Sequence, residues 1–267
     1  MTVPDPVTGA LSQQSTEKAV QLFYDKLYTA TVPLPLRIPA AVEPLPPFII
    51  SELRSSMLAL KRGHSAGLDG ILPEMLTEAS EALAPLLTEM LNKLIVGDVI
   101  PPLLVRSRVS LLYKKGDASD PANFRPISLL SVIYKTLTRA VLRRMENVLE
   151  QSESETQTGF RKGYGTTDNL HTLKQVIEKA TEFGMNVYIA LVDYRKAFDS
   201  VEWPAVWTAL ISQGVHPTFV NLLARLYDNS STEVQVNESK VEVNVRRGVR
   251  QETQCPLDYS TPYYGWP

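Results

Sequence analysis

The sequence contains a single cysteine, Cys255, so it can form neither an internal disulfide nor a zinc site built on cysteines. Its three histidines, His64, His171 and His216, lie far apart along the chain without the spacing of metal ligands. No apolar run approaches the length that spans a bilayer, and the first residues lack a basic segment followed by an apolar one. We therefore expect an intracellular protein with no membrane association and no disulfide partner.

The chain also lacks a strong overall charge, with a formal net charge of −2 over 267 residues. Its hydrophobic fraction of 44% and charged fraction of 21% are typical of a globular protein. Residues 106–163 differ, because eleven Lys and Arg there outnumber six Asp and Glu. A local positive excess is expected where one region faces phosphates, although a solvated basic surface explains it equally well.

Hydrophobic spacing predicts mixed helices and strands, an α+β fold class, rather than a strict alternation of the two. Helices are predicted over 12–30, 49–60, 74–96 with a break at Pro85, 128–151, 165–184, 203–213 and 217–228. Strands are predicted over 106–113, before a basic turn, over 186–192, and in a hairpin around 237–239. The proline-dense stretch 31–48 predicts an extended linker, and the glycine-punctuated stretch 61–74 predicts a loop.

The stretch YIALVDYRKAFDS, residues 188–200, leads from an apolar strand pattern into Asp193. A carboxylate at the end of a buried strand suits catalysis, but it more often caps the following turn. A hydrolase or phosphatase with an aspartate after a strand is a rival class. Position 195 holds arginine, however, where such enzymes place their second aspartate.

Four stretches follow one another with plausible gaps: SRVSLLYKKGDASDPANFRPISLL, TQTGFRKGYGTTDNL, YIALVDYRKAFDSV and RRGVRQ. Together they resemble successive motifs of reverse transcriptases from non-LTR (LINE-type) retrotransposons. Four ordered motifs are hard to meet by chance, whereas any one alone is a weak signal. The resemblance implies RNA-directed DNA polymerase activity, a nucleotidyl transfer whose partners are an RNA template, a DNA primer and dNTPs.

The resemblance also implies the fingers and part of the palm of a right-hand polymerase. In that arrangement an N-terminal helix and proline-rich linker occupy residues 1–47. A fingers-like region follows over 48–185 and a partial palm over 186–251. Residues 252–267 form an aberrant tail.

In that family, the aspartate matched by Asp193 closes the first palm strand and binds the two Mg²⁺ ions of nucleotide transfer. The backbone carbonyl of Tyr194 completes the local ligation. Mg²⁺ prefers hard oxygen ligands and keeps positions open for substrate phosphates. Phe198 falls where the family places an aromatic gate against the 2′-hydroxyl, and ordinary core packing is the alternative role for this ring. Asp199 caps a helix or plays a part that the motif does not specify.

The resemblance assigns the remaining site residues to nucleotide and template. Arginine offers a planar fork for phosphate oxygens, and lysine a mobile point charge. The expected nucleotide contacts are Lys114, Lys115, Arg125 and Gln251, and the expected template contacts are Arg161 and Lys162. Arg139, Arg143 and Arg144, on one helix face, either touch the template or are simply exposed to solvent.

The sequence departs from the family after Gln251. The family continues with glycine and a Ser-Pro-x-Leu-Phe stretch, whereas this chain reads ETQCPLDYSTPYYGWP and contains no Asp-Asp dipeptide. We therefore expect a catalytically incomplete fragment, in which the strand before Asp193 lacks its neighbouring hairpin and exposes an apolar edge. A non-catalytic nucleic-acid-binding remnant is the alternative function. A frameshift directly after Gln251 would explain the tail.

Overall fold

The computed structural model describes residues 3, 12–31, 38–41, 43–152, 154, 156–159, 161, 163–194, 196–228, 230–236 and 239–249. Within these residues nine α-helices, α1 to α9, cover Gln13–Tyr28, Ile50–Leu58, Pro73–Glu78, Ser80–Val96, Pro102–Val105, Val132–Ser152, Thr166–Glu182, Trp203–Ser212 and Pro217–Asp228. Four strands, β1 to β4, cover Ser107–Tyr113, Phe124–Leu130, Ser231–Val236 and Ser239–Asn244. None of the described helices is both long and apolar enough to cross a membrane. The predicted α+β class is confirmed.

The four strands form one sheet in the order β2-β1-β3-β4. Strand β1 pairs antiparallel with β2 along its whole length and parallel with the start of β3, where Ser107 lies opposite Thr232. Strands β3 and β4 form an antiparallel hairpin. Because β1 and β3 are more than a hundred residues apart in the chain, their pairing joins its early and late segments.

The main hydrophobic core lies among helices α2, α4, α6, α8 and α9. Trp207 and Tyr227 are among its largest fully buried side chains, and their rings meet edge to face with centroids 5.5 Å apart. Each fully buried large apolar side chain contributes roughly 1.5–3 kcal/mol relative to exposure. This helical body is therefore the main source of stability.

A second, smaller core forms where α1 packs against the sheet. Val20, Tyr24 and Tyr28 of α1 are buried against valines of β1, β3 and β4. The Ser12 hydroxyl begins the helix by accepting the Ser15 backbone N–H at 3.0 Å. The N-terminal helix is thus docked on the sheet that the late part of the chain completes.

The helix predicted over 128–151 begins later than expected, because its first residues belong to β2. Residues Phe124–Leu130 pair one for one with β1, and this long-range ladder overrides the local helical pattern. The Ser131 hydroxyl then accepts the backbone N–H of Ile133 at 3.2 Å, so α6 begins at Val132.

The predicted helix break at Pro85 is wrong. The chain breaks instead at Ala79, between α3 and α4, and α4 runs through Pro85. Residues Ala84, Leu87, Leu91 and Leu94 of α4 are buried in the main core. Packing along this face offsets the one backbone hydrogen bond that the proline removes.

The buried strand predicted over 186–192 is also wrong, so Asp193 does not lie at a strand end. Residues 185–194 carry no regular secondary structure, and Tyr188 and Leu191 are 93% and 92% exposed. No backbone group of residues 186–194 bonds to another described backbone group. A strand exists only beside a neighbour that takes up its N–H and C=O groups, and no described segment lies beside this one.

Candidate functional site

The turn Phe198–Ser200 is a single turn of 3₁₀ helix. It is held by the backbone of residues 246–249, the RRGV segment. The Val249 N–H donates to the Phe198 carbonyl at 2.8 Å, and the Gly248 N–H donates to the Val201 carbonyl at 2.7 Å. Gly248 has φ +87°, and a Cβ there would lie 2.9 Å from the Asp199 carbonyl oxygen. Only glycine fits both the dihedral angle and the space. Two of the motifs that the sequence singled out are therefore in direct backbone contact.

Arg247, next to that glycine, ties the turn to helix α1. Its Nε donates to the Leu27 carbonyl at 2.6 Å, and its guanidinium lies 3.6 Å from the Glu202 carboxylate. Glu202 in turn accepts the Thr31 hydroxyl at 2.7 Å and the Thr31 N–H at 3.0 Å. Both charged side chains are largely buried, so the pair leaves little freedom between α1 and residues 198–202.

Asp199 is a buried carboxylate beside two tyrosines of α1. Burial raises its pKa, and the positive charge of Lys196 opposes that shift. Burial, followed by the charge of Asp199, raises the pKa of both Tyr24 and Tyr28 above the ordinary tyrosine value. Burial lowers the pKa of Lys196, against the opposing charges of Asp199 and Asp120. These five side chains form one electrostatically coupled cluster.

The turn between β1 and β2 lies near this cluster, because the charge of its residue Asp120 acts on Lys196. That turn also contacts α1 through Pro121–Asn123, and the Lys196 ammonium lies 4.2 Å from the centre of the Phe23 ring on α1. Helix α1 therefore lies between the turn of the first hairpin and the 198–200 turn.

The predicted nucleotide contacts Lys114, Lys115 and Arg125 flank the same turn. The Lys114 N–H donates to the Asn123 carbonyl at 3.0 Å, which closes the hairpin, and Arg125 pairs with Leu112 across the ladder. All three cationic side chains are exposed, and none forms an ion pair with another described residue. The hairpin thus presents three exposed positive charges, while Asp117 and Asp120 are exposed in the turn between its strands.

The other predicted site residues are placed separately. Asp193 and Tyr194 are exposed on the irregular segment, while Phe198 is half-buried against the main helical core. Arg161 stacks on Tyr164, with its guanidinium carbon 4.8 Å from the ring centre. Lys162 and Gln251 lie outside the described residues. No described contact brings Asp193 together with the cationic hairpin.

Arg144 is not a solvent-exposed charge, because most of its side chain is buried. Its guanidinium makes two hydrogen bonds with the Glu52 carboxylate, at 2.7 and 2.8 Å, and its carbon lies 3.7 Å from the centre of the Phe48 ring. The Arg144 hydrogen bonds hold the pKa of Glu52 below its ordinary value. The residue fastens α6 to the start of α2.

The described residues do not fit a two-ion metal site. No three His, Cys, Asp or Glu side chains among them lie close enough together to hold a metal ion. Asp193 is a single exposed carboxylate, whereas a pair of hard cations needs several oxygen ligands fixed around it. The buried carboxylate Asp199 faces tyrosines rather than further oxygen anions.

The family model described as reverse transcriptase (RNA-dependent DNA polymerase) matches residues 113–253, just over half of the chain. The chain belongs to the reverse transcriptase family. The reaction of that family is nucleotidyl transfer, and the family generally uses Mg²⁺. The matched range contains the hairpin turn with its three cations, strand β2, the 185–194 segment and the 198–200 turn, whereas β1 lies outside it except for Tyr113.

Several curated proteins of retrotransposons are similar to this reverse transcriptase domain. A Xenopus laevis protein named Transposon TX1 uncharacterized 149 kDa protein is 30% identical over 212 residues, 79% of this chain and 16% of that protein. The Pol polyprotein of the retrotransposable element R2 of Bradysia coprophila is 29% identical over 206 residues, 77% of this chain and 23% of the relative. The R2DM polyprotein of Drosophila melanogaster is 27% identical over 201 residues, which are 75% of this chain and 18% of that protein. These relatives confirm the resemblance to non-LTR retrotransposon enzymes, and the chain spans about a fifth of their length.

Sequence reasoning missed the buried cluster around Asp199 and the role of α1 in it. The fully buried aromatic residue of α1 is Tyr24. Tyr24 and Tyr28 lie four residues apart and share a helix face, which is a signal that the sequence does carry. The helix-capping role for Asp199 is wrong, because α8 begins after Glu202.

We predict that Asp199→Asn stabilises this domain at neutral pH. Because burial raises the folded-state pKa of Asp199 above its unfolded value, the folded state binds its proton more tightly. That contribution is fully present below the unfolded pKa and is lost as the pH rises through the folded pKa. The asparagine variant avoids the loss, so the difference in unfolding free energy between the two proteins should be largest at neutral pH.

Urea unfolding of both proteins from acidic to neutral pH measures this difference. Asp193→Asn, which changes an exposed carboxylate, is the matched control and should leave the profile unchanged. A wild-type advantage that grows towards neutral pH would contradict the assignment.

Proposed function

We propose that this reverse transcriptase domain is a catalytically incomplete fragment of a retrotransposon RNA-directed DNA polymerase, which retains nucleotide- and template-facing segments. The family match over residues 113–253 carries the proposal, because it includes every proposed site residue. Residues 48–185 correspond to the fingers and residues 186–251 to part of the palm, after an N-terminal helix and linker over 1–47. An RNA template, a DNA primer and dNTPs are the proposed partners.

Lys114, Lys115 and Arg125 are the proposed contacts to the incoming triphosphate. Their support is electrostatic: three exposed cations without ion-pair partners in the described chain flank one hairpin turn. A triphosphate would neutralise them, and the arginine fork suits two phosphate oxygens at once. Gln251 is the proposed fourth contact to the nucleotide.

Asp193 and the carbonyl of Tyr194 are the proposed metal ligands, and Phe198 is the proposed gate beneath the sugar. The support for Phe198 is its position in a turn fixed by Gly248, since a gate must be rigid to discriminate a hydroxyl. Arg161, with Lys162, is the proposed contact to the template. Arginine stacked on an aromatic ring, as Arg161 is on Tyr164, is a common platform for nucleic-acid bases.

We propose further that a polypeptide of these 267 residues does not polymerise DNA by itself. In the described structure, its one candidate metal-binding carboxylate belongs to no group of three or more His, Cys, Asp or Glu side chains that could hold a metal ion. The sequence also contains no Asp-Asp dipeptide that could supply one. Without fixed cations, the developing charge of phosphoryl transfer goes unstabilised.

The residues after Gln251 have a simple proposed origin. Loss of one G from a GGA codon directly after the Gln251 codon converts CAG GGA GAC ACA ATG TCC CCT into CAG GAG ACA CAA TGT CCC. The first reading is Gln-Gly-Asp-Thr-Met-Ser-Pro, as the family requires, and the second is Gln-Glu-Thr-Gln-Cys-Pro, as in this chain. The family match ends at residue 253, close to the proposed shift. The coding DNA tests this directly, since it must restore the family reading when one base is added there.

We predict that the purified 267-residue chain extends no primer on an RNA template with Mg²⁺ and dNTPs. The missing carboxylates remove the metal site, and most of the rate enhancement with it. Gel analysis of labelled primer measures extension, with an intact reverse transcriptase as the positive control. Asp193→Asn is the matched variant: Mg²⁺-dependent incorporation that this substitution abolishes would contradict the proposal.

We predict that the same chain nonetheless binds nucleoside triphosphate through the hairpin. Arg125→Ala should weaken binding of a fluorescent dATP roughly ten- to hundredfold, since hydrogen bonds to charged groups contribute about 1.5–3 kcal/mol. Lys114→Ala should weaken it less, and added salt should weaken it further.

Fluorescence anisotropy measures the affinity. Lys61→Ala, which removes an exposed lysine outside the hairpin, is the matched control and should bind like the unsubstituted chain. Equal affinities for Arg125→Ala and Lys61→Ala would show that Arg125 does not contact the nucleotide, and would contradict the proposed role of the hairpin.

A further inference from the structure

Lys196 has an unusual backbone conformation for a residue that carries a side chain. Among the described residues other than glycine, it alone has a positive φ, +50°. In this left-handed conformation the Cβ of an L-amino acid lies too close to the backbone, so glycine is the ordinary choice. Strained residues of this kind cluster at functional sites. The turn therefore keeps a lysine where a glycine would fit with less strain.

The Lys196 side chain reaches from this turn to helix α1. Its ammonium lies 4.2 Å from the centre of the Phe23 ring, and the residue is half-buried. A cation over an aromatic ring is attracted by the ring electrons, more strongly where water is partly excluded. The Phe23 ring is itself fixed in the second core, where it meets the Tyr24 ring edge to face with centroids 5.1 Å apart.

The Lys196 backbone belongs to the turn that contains Phe198. Its carbonyl accepts the Asp199 N–H at 3.0 Å and the Ser200 N–H at 3.1 Å. Lys196 therefore joins the Phe198–Ser200 turn to α1, with its backbone in the turn and its ammonium on the helix.

Helix α1 also carries the turn of the first hairpin. It contacts that turn through Pro121–Asn123, and the neighbouring Asp120 acts on the Lys196 ammonium by its negative charge. The three cations proposed to bind the triphosphate flank this hairpin turn, whereas Phe198, the proposed gate, lies in the other turn. Both parts of the proposed nucleotide site are thus held on α1.

We propose that Lys196 is a positioning residue of the nucleotide site, which holds the Phe198 turn at a fixed distance from the cationic hairpin through its contact with Phe23. The inference rests on the proposed function of the hairpin. A site assembled from two segments binds its ligand only in the fraction of molecules that have both segments in place. Lys196 raises that fraction and does not itself contact the nucleotide.

Direct contact with a phosphate is the alternative role for Lys196. Its ammonium is partly desolvated on the Phe23 ring and interacts with the charges of Asp199 and Asp120. The cations of the hairpin, by contrast, are exposed and form no ion pair with another described residue. The surroundings of Lys196 therefore favour a connection between segments over a phosphate contact.

The distance between the two turns tests the proposal without any nucleotide. In a Cys255→Ser background, spin labels at Ala118→Cys and Ser200→Cys, both at exposed positions, report this distance by pulsed electron paramagnetic resonance. We expect one narrow distance distribution with Lys196 and a broader one for Lys196→Met. Lys196→Arg should restore the narrow distribution, because arginine also binds aromatic faces. Circular dichroism checks that each variant keeps the fold.

Phe23→Leu tests the same contact from the side of α1, with the lysine charge and an apolar side chain kept. It should broaden the distribution as Lys196→Met does, and the double variant should be no broader than either single variant. Lys179→Met is the matched control, because the Lys179 ammonium lies 5.9 Å from the centre of the Phe183 ring, outside the proposed site. It should leave the distribution unchanged.

Fluorescence anisotropy with the labelled dATP measures the consequence for binding. Lys196→Met and Phe23→Leu should each weaken binding roughly three- to tenfold, because fewer molecules have both turns in place. Lys196→Arg should bind within about twofold of the unsubstituted chain. Arg125→Ala belongs in the same series, since its effect depends on the proposed function alone.

Each of three results would overturn the inference. Equal distance distributions for Lys196→Met and Lys179→Met would show that Lys196 does not position the turns. Binding that weakens for Lys196→Met but not for Phe23→Leu would make Lys196 a direct phosphate contact. An unchanged affinity for Arg125→Ala would reject the hairpin as the nucleotide site, and this role of Lys196 with it. The distances, measured without nucleotide, distinguish that failure from the first.

Discussion

The close backbone approach of Gly248 to Asp199 is the constraint on which the rest of the site depends. It locks the Phe198–Ser200 turn against the RRGV segment, and Arg247 then fastens α1 to both. Helix α1 buries Tyr24 and Tyr28 against the sheet, beside the carboxylate of Asp199. Three segments that are distant in sequence are thereby held in one arrangement, with the cationic hairpin turn at its margin.

Some segments of the molecule are packed and others are exposed, because only some of them have neighbouring strands or helices to pack against. Strand β1 has a partner on each side, and α6 is buried along its length. Residues 185–194 have no neighbouring strand among the described residues, although their composition favours a strand. Within the described residues, the same absence explains why Asp193 and the apolar side chains of residues 185–192 are exposed.

The sequence predicted the local elements well where local pattern decides them. Helices α1, α7, α8 and α9, strand β1 and the β3–β4 hairpin lie close to their predicted bounds. The sequence-based prediction was wrong where a partner far away in the chain determines the secondary structure. Residues 128–130 belong to β2 because β1 lies beside them. Residues 186–192 form no strand because no described segment lies beside them. The family itself was predictable, since four motifs kept their order. The buried contacts of Asp199, Arg144 and Arg247 were not, because each depends on a partner far away in the chain.

The unfolding free energy of Gly248→Ala tests the central constraint most directly. Gly184→Ala is the matched control, because Gly184 also has a positive φ, +64°, but has open space around its Cα. The control should lose about 1 kcal/mol from backbone strain, and Gly248→Ala should lose roughly 3 kcal/mol or more because its Cβ also meets the backbone of Asp199. Equal losses for the two variants would show that the 198–200 turn does not depend on this contact, and would contradict the account.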